Sequence, residues 1–155
     1  MRKLHLLFAP ILFLTIMSCL PSCKKDKSQK LYSNITLYDK PLPVIRAHIQ
    51  GKWKLSYARG GIMSNNVQYF DDIFWEFGNN SNTIKQFYND SITLYTIIYW
   101  YKDIGTYTSG DKTFIMKFYG QYEYPNVYVV ERIVNDTLII HDNSFDAVFY
   151  HFIRF

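Results

Sequence analysis

The stretch Gly51-Lys52-Trp53-Lys54-Leu55-Ser56-Tyr57 decides the fold class. In it the apolar residues Trp53, Leu55 and Tyr57 alternate with polar ones, and this period of two predicts a strand with one buried face. Gly60-Gly61 then closes the strand. The chain from residue 51 onward is therefore expected to begin with a half-buried strand rather than a helix.

The same pattern continues to the end of the chain. Asn89-Asp90 and Asn135-Asp136 separate pairs of alternating segments and predict two-residue hairpin turns. No segment predicts a helix long enough for a parallel crossover, so the sheet is expected to be antiparallel. We predict eight strands, with a further short extended piece in 103–112, in an up-and-down β-barrel or a sandwich; closure of the exposed edges favours the barrel. Strands after the first are predicted in residues 67–77, 83–88, 91–102, 113–119, 127–134, 137–142 and 147–155.

The segment before the first strand divides into two parts. Residues 24–42 are polar at first, lack periodicity and predict a flexible tether. Residues 44–50 predict one or two turns of helix, with Pro43 suited to the first helical position and Gly51 at its end. The expected organisation is a tether in 23–43 and a single barrel domain in 44–155.

The first 22 residues have the layout of a secretory signal. Arg2 and Lys3 precede an apolar run over 4–17, and small or turn-forming residues follow it. The run has about 14 residues, whereas a membrane-spanning helix needs about 20. Residues 1–22 are therefore predicted to be a cleaved signal peptide.

The two cysteines of the chain lie at the end of this signal. Leu20-Pro21-Ser22-Cys23 resembles a bacterial lipobox, and Ile16-Met17-Ser18-Cys19 also fits the pattern. Cys23 is favoured because the polar run 24–30 follows it at once; an ordinary signal with incidental cysteines is the alternative. Lipid on Cys23 would anchor the protein to a bilayer, because each buried methylene contributes about 0.8 kcal/mol. The expected location is the cell envelope, on the outer membrane, facing the periplasm or the cell surface.

Composition bounds the class of protein. The chain has 155 residues, of which 48% are hydrophobic and 19% aromatic, and such a chain can bury a core without disulfides or metal. Without Arg2 and Lys3, 15 basic residues stand against 13 acidic ones. Four of those bases fall in the tether: Lys24, Lys25, Lys27 and Lys30. The remaining domain has no basic stripe, so nucleic acid is not an expected partner.

Two short motifs resemble the lipocalin and calycin barrels. Gly51-Lys52-Trp53 opens the first long strand after a short helix, and Arg154 stands near the end of the last strand. The resemblance implies that the Trp53 ring plugs one end of the barrel beneath the guanidinium, a cation–π contact of about 0.5 to 2 kcal/mol. Residues 44–155 are also similar to small lipocalin-like lipoproteins of Gram-negative bacteria. The shared motifs are Cys23-Lys24-Lys25-Asp26, Gly51-Lys52-Trp53-Lys54-Leu55, Trp75-Glu76-Phe77, Asp136-Thr137-Leu138-Ile139-Ile140 and Tyr150-His151-Phe152-Ile153-Arg154.

This resemblance implies two functions for the barrel. Lipocalins hold a small apolar ligand inside the barrel, and five rings suit that role here: Trp75, Phe77, Trp100, Phe114 and Phe118. The alternative is that these rings fill the interior, since a barrel of eight strands has room for side chains or for one small ligand. A filled barrel would then bind an envelope protein through its surface. Both hypotheses remain open at this point.

No motif predicts catalysis or a cofactor. His48, His141 and His151 do not fall at metal-ligand spacing, and no nucleophile elbow or phosphate-binding loop is present in the sequence. Glu131 shares its expected strand face with Val129 and Ile133, which predicts an inward carboxylate that is either hydrogen-bonded in the core or placed at the end of the barrel, rather than a catalytic base. The protein is thus expected to be non-enzymatic, without metal or cofactor.

Two tripeptides resemble a bacterial O-glycosylation acceptor. They are Asp90-Ser91-Ile92 and Asp136-Thr137-Leu138, which would place sugars on Ser91 and Thr137. Both also stand where a hairpin enters its next strand, so turn chemistry is the alternative explanation.

Overall fold

The computed structural model describes residues 34–62, 66–120 and 124–155. In this part of the chain, antiparallel strands form one curled sheet around a hydrophobic core, with a short helix before the first long strand. The predicted all-β antiparallel class and the short helix are confirmed. The predicted signal peptide, Cys19, Cys23 and the first part of the predicted tether lie outside the described residues.

The described residues contain eleven strands rather than the predicted eight, together with helix α1 (Leu42–Ile49) and the 3-10 turn η1 (Asn79–Ser81). The strands are β1 (Ile35–Thr36), β2 (Gly51–Gly60), β3 (Val67–Tyr69), β4 (Ile73–Phe77), β5 (Thr83–Tyr88), β6 (Ser91–Ile97), β7 (Tyr99–Ile104), β8 (Lys112–Tyr119), β9 (Pro125–Val134), β10 (Thr137–Asp142) and β11 (Val148–Arg154).

The sheet runs in the order β6-β5-β4-β2-β11-β10-β9-β8-β7, while β1 pairs with β9 and β3 with β2. The two ends of this path, β6 and β7, are consecutive in sequence and are separated by Ile98 alone. Ile98 is buried, and its N–H donates to the carbonyl of Asn82 at 2.8 Å. The chain therefore leaves one edge of the sheet and enters the other within one residue.

The count of eight was wrong because two predicted strands are each interrupted and because β1, in the predicted tether, is a further strand. Residues 67–77 form β3 and β4, which pair with different halves of β2: Tyr69 faces Tyr57, and Phe74 faces Lys54. The four residues 70–73 stand against only two on β2, so pairing cannot continue through them. Residues 91–102 form β6 and β7 because the chain changes its partner from β5 to β8 at Ile98.

The two predicted hairpin turns are present. Asn89 and Asp90 have φ values of 48° and 60°, and Asn135 and Asp136 have 49° and 60°. Two consecutive residues in the left-handed region match the twist of the flanking strands, and Asn and Asp tolerate that conformation. The two residues of the glycosylation-like tripeptides, Ser91 and Thr137, are each the first residue of the strand that follows the turn.

Tyr57 lies on the opposite face from the one predicted. The pairing of β2 with β11 shifts so that Tyr57 faces His151 while Leu55 faces Phe152. Ser56 is then an extra residue, a β-bulge that reverses the alternation. Trp53 and Leu55 point into the core as expected, whereas Tyr57 stacks on His151 outside it.

Residues 35–40, predicted as tether, are part of the fold. Ile35 faces Ile133 in the β1–β9 pair, and the N–H of Leu37 donates to the carbonyl of Glu131 at 2.8 Å. Leu37 is fully buried. The hydroxyl of Thr113 donates to the carbonyl of Tyr38 at 2.6 Å. The segment that connects to the predicted anchor is therefore held on the sheet from Ile35 onward.

Candidate functional site

Trp75 stands at the centre of the interior. It comes from β4, its side chain is nearly fully buried, and its edges and faces meet other aromatic rings. Offset-stacked and edge-to-face aromatic pairs add about 0.5 to 1.5 kcal/mol beyond the burial of apolar area. The centroid distances from Trp75 are 4.9 Å to Phe152, 5.4 Å to Tyr128, 6.0 Å to Phe118, 6.3 Å to Phe77 and 6.4 Å to Tyr150.

The five rings predicted to line a ligand site divide into two groups. Trp75, Phe77 and Phe118 belong to the buried core cluster and contact one another. Trp100 and Phe114 are only partly buried and pack against that cluster from its margin. The indole N–H of Trp100 donates to the carbonyl of Ser81 at 3.0 Å, which orients that ring toward η1. At Trp75, Phe77 and Phe118 the interior of the sheet is thus occupied by its own side chains.

Two tyrosines in the same cluster are held neutral by their surroundings. Burial, followed by the neighbouring Tyr150 and Asp142, raises the pKa of Tyr128 far above its usual value. Burial and Asp142 likewise raise the pKa of Tyr150. Since both phenols already ionise only near pH 10, these shifts remove them as acids or bases at neutral pH.

Trp53 closes the interior at the end where α1 lies. Its indole N–H donates to the carbonyl of Ile49 in the last turn of α1 at 2.7 Å. The guanidinium of Arg154 lies 4.5 Å from the centroid of the Trp53 ring, and it donates to the carbonyl of His48 at 3.1 Å. Trp53 and Arg154 therefore fasten the helix to the first and last long strands, in the arrangement that the lipocalin resemblance implies.

Gly51 provides the turn between α1 and this strand. Its φ is +107°, a conformation that residues with a side chain rarely adopt, although a side chain would meet no atom within 4 Å. Glycine is required here by the backbone rather than by space.

The three histidines in the described part of the chain, His48, His141 and His151, are all buried. His48 and His141 bond through Nδ1 to backbone carbonyls, of Val44 and of Asp142 respectively. Within 34–62, 66–120 and 124–155, no three His, Cys, Asp or Glu side chains come together as a metal site. These histidines act as parts of the packing.

His151 is the histidine whose titration matters for stability. It is buried on the outer face of the sheet, stacked on Tyr57 with a centroid distance of 4.1 Å. Burial, with smaller effects from Arg59 and Arg132, lowers its pKa from 6.5 to about 4. The folded protein therefore holds this imidazole neutral at a pH where the unfolded chain is already protonated.

This shift predicts a loss of stability in acid. Between about pH 6.5 and pH 4 the unfolded state binds the extra proton, so the free energy of unfolding should fall by about 3 kcal/mol as the pH falls through that window. Above about pH 6.5 the imidazole is neutral in both the folded and the unfolded state, so His151 should not contribute to the pH dependence of the free energy of unfolding. Urea unfolding of the wild type and of His151→Phe, which keeps a ring against Tyr57, measures the difference. Equal pH dependence in the two proteins would reject the assignment.

Three clefts bounded by described residues lie on the outside of the sheet. One of about 440 Å³ is lined by Lys52, Glu76, Lys85 and Tyr95, which face each other across β2, β4, β5 and β6. One of about 310 Å³ lies between β2, β9 and β11, and one of about 260 Å³ lies between α1 and η1. The ammonium of Lys52 leans on the rings of Phe74, Phe87 and Phe155, with distances of 4.7 to 5.0 Å to the centroids.

Glu131 lines the second cleft instead of accepting hydrogen bonds in the core. The pairing of β9 with β10 shifts between Ile139 and Ile140, so Glu131 is an extra residue on β9, and Val130 points into the core in its place. Glu131 Oε1 lies 3.4 Å from Nε of Arg132. The bulge thus moves both charged side chains to the outer face, where Arg59 also lines the cleft.

The sequence pattern did not single out a set of exposed apolar side chains in the turns. Among the described residues, ten large apolar residues lie in or beside connections between strands and are more than half exposed: Ile62, Tyr69, Tyr88, Ile92, Ile97, Tyr99, Ile104, Tyr107, Tyr124 and Phe145. For Ile62, Tyr88, Tyr124 and Phe145 the signal is a large apolar residue next to Gly, Asn, Asp or Pro in or beside a turn, where strand alternation does not require one.

Comparison of the chain with protein-family models, with curated proteins and with solved structures finds no match. Among the helices of the described residues, none has the length and apolar character needed to cross a membrane.

Proposed function

We propose that this protein is a lipid-anchored, non-enzymatic bacterial envelope lipoprotein with a lipocalin-like barrel. Its own side chains fill the interior of this barrel, and its outer surface binds a protein partner. The packing around Trp75 carries the proposal. Rings from β4, β8, β9 and β11 meet there at centroid distances of 4.9 to 6.4 Å, which is direct contact. An apolar ligand at this place would have to displace them.

The closed eight-stranded barrel belongs to the same proposal. If β3 and β4 are counted as one interrupted strand, and β6 and β7 as another, the long strands from β2 to β11 number eight in up-and-down order. Ile98 then joins the strand that pairs with β5 to the strand that pairs with β8. Closure by one bent strand would leave a barrel with short free edges, which protects it from aggregation.

The filled interior and the ligand-carrying barrel predict different masses for the purified protein. Native mass spectrometry of the mature protein, extracted from the source bacterium in mild detergent, is expected to give the mass of the polypeptide with its lipid anchor and nothing more. A further small molecule bound at one to one would favour a ligand-carrying barrel and reject the filled interior.

The anchor itself is tested by substitution at the lipobox. We expect Cys23→Ser to release the protein from membranes and to abolish labelling by radioactive palmitate, because the thiol that carries the acyl chains is gone. Cys19→Ser is the matched control and should leave the protein on the membrane and labelled. The reverse result would move the lipidation site to Cys19, and retention of both variants would reject the lipid anchor.

A further inference from the structure

The second cleft described above, of about 310 Å³ between β2, β9 and β11, contains charges of both signs. Its four charged side chains are Arg59, Glu131, Arg132 and Asp146, and their charges sum to zero. An anion would therefore meet two carboxylates in this cleft, and a cation would meet two guanidinium groups. A ligand that carries one charge of each sign matches the cleft better than a simple ion does.

Arg59 is the positive charge of this cleft that has no partner. It is exposed on β2, and among residues 34–62, 66–120 and 124–155 no ion pair or hydrogen bond engages its guanidinium. Its charge is felt within the sheet, because Arg59 and Arg132 add to the effect of burial in lowering the pKa of His151. A guanidinium binds a carboxylate through two parallel hydrogen bonds. Arg59 is therefore placed to bind the carboxylate of a ligand.

Glu131 supplies the opposite charge from a fixed position on β9. Its carbonyl accepts hydrogen bonds from the N–H groups of Leu37 at 2.8 Å and Tyr38 at 3.2 Å, which hold the bulge in place. Its side chain is 16% exposed; Oε1 lies 3.4 Å from Nε of Arg132, and Oε2 is buried without a hydrogen-bond partner among the described residues. An unpaired buried carboxylate oxygen is unfavourable. Because the last torsion of a glutamate turns easily, Oε2 can rotate into the cleft and accept a hydrogen bond from the ammonium of a ligand.

Two aromatic rings give the cleft an apolar surface. Phe149 lies on β11 directly opposite Arg59, and its ring contacts that of Tyr107 with a centroid distance of 5.4 Å. The hydroxyl of Tyr107 donates to the carbonyl of Phe145 at 3.1 Å, which fixes the Tyr107 ring. The volume of the cleft is at the lower end of the range for ligand sites, about 300 to 1,000 Å³. The cleft therefore suits a small molecule with one or two apolar side chains.

We propose that the second cleft binds a small zwitterion with an apolar side chain, either an α-amino acid or a dipeptide. The ligand carboxylate binds Arg59, the ligand ammonium binds Glu131, and the apolar side chain packs on Tyr107 and Phe149. Because β10 and β11 separate the strands of Arg59 and Glu131, about 14 Å lies between the two backbones, and the ligand bridges the gap between the two side chains. The cleft is on the outer face of the sheet, so this proposal depends neither on the lipid anchor nor on the filled interior.

The test titrates the ¹⁵N-labelled full chain, in detergent micelles, with L-phenylalanine and with the dipeptide of phenylalanine. We expect saturable NMR shift changes at the backbone amides of Gly60, Gly61 and Arg132, which border the second cleft, and none at Gly51 or Gly78, which border the first. The tighter of the two ligands identifies the source as a free amino acid or a peptide. N-acetylphenylalanine lacks the ammonium and phenylalaninamide lacks the carboxylate, so each should bind about tenfold more weakly than phenylalanine.

Two variants assign each charge of the ligand to its partner. Arg59→Gln should raise the Kd of phenylalanine about tenfold but change that of phenylalaninamide less than about twofold, because the amide has no carboxylate to lose. Glu131→Gln should do the same with N-acetylphenylalanine as the insensitive ligand. The matched controls are Lys85→Gln and Glu76→Gln, which remove the same charges from the first cleft and should change every Kd less than about twofold.

Three results would overturn the zwitterion site. They are no saturable shift with either ligand, equal weakening by the cleft variants and the controls, and binding of N-acetylphenylalanine or phenylalaninamide as tight as that of phenylalanine. The outcome is separate from the test of the filled interior. Because the ligand lies on the outer face, it should be lost on dialysis before mass spectrometry. An added mass that disappears in Arg59→Gln would belong to this cleft, whereas one that persists would lie in the barrel interior.

Discussion

Trp53→Ala is expected to lower the free energy of unfolding by about 3 to 5 kcal/mol, the range found for removal of a large buried ring. The Trp53 side chain is 1% exposed, and it fills the end of the core between α1 and β11. Its loss would leave a cavity, free the carbonyl of Ile49 from its 2.7 Å bond and remove the surface on which Arg154 lies. Urea unfolding followed by far-UV circular dichroism measures the change.

Two further variants separate these contributions. Trp53→Phe keeps an aromatic ring but removes the indole N–H, so we expect a loss of about 1 to 2 kcal/mol. Arg154→Met keeps most of the aliphatic side chain but removes the cation, and the loss should be about 1 kcal/mol. If Trp53→Ala costs less than about 1 kcal/mol, the ring does not close the barrel and the lipocalin-like arrangement loses its main support.

The strands and hairpins were predictable because local chemistry specifies them. Alternation around Trp53 and Trp75 places one face of each strand in the core, and Asn-Asp pairs specify the two tight turns. The contact between Trp53 and Arg154 was predictable through a family resemblance, since 100 residues separate the two positions. Strands and turns that depend on a single local pattern can therefore be predicted from the sequence.

The β-bulges and the strand break could not be predicted from the sequence, because they depend on which residues of neighbouring strands pair with each other. The extra residue Ser56 in β2 is defined only by the register with β11, and it turns Tyr57 outward against His151. Glu131 is displaced in the same way by the register of β9 with β10. The strand break at Ile98 depends on a change of partner from β5 to β8. A one-residue shift moves a side chain to the other face of a sheet, so alternation fails at each of these places.

The alternation of apolar and polar residues likewise could not predict whether the interior is open or filled. Alternation identified Trp75, Phe77 and Phe118 as inward-facing but gave no measure of the space between opposite walls. That space depends on the curvature of the sheet and on rings from distant strands, here Tyr128, Tyr150 and Phe152.

Trp75→Ala is the second variant expected to have a large effect, about 3 to 5 kcal/mol lost from the free energy of unfolding. The ring is nearly fully buried and contacts five other rings, so neighbours can only partly collapse into the space that it leaves. Tyr99→Ala is the matched control, because Tyr99 is an aromatic residue of the same sheet that is 55% exposed. Its loss should be within about 0.5 kcal/mol.

The cavity in Trp75→Ala also tests the filled interior directly. Indole has the shape of the side chain that was removed, and apolar cavities of this kind bind small aromatic molecules. Indole at about ten times its Kd should restore about 1.4 kcal/mol to Trp75→Ala, seen as a rise in the urea midpoint. The wild type and Tyr99→Ala should gain nothing, because Trp75 already occupies the space. If indole stabilises the wild type as much as it stabilises Trp75→Ala, a cavity exists beside the intact ring, and the ligand-carrying barrel becomes the better account of this protein.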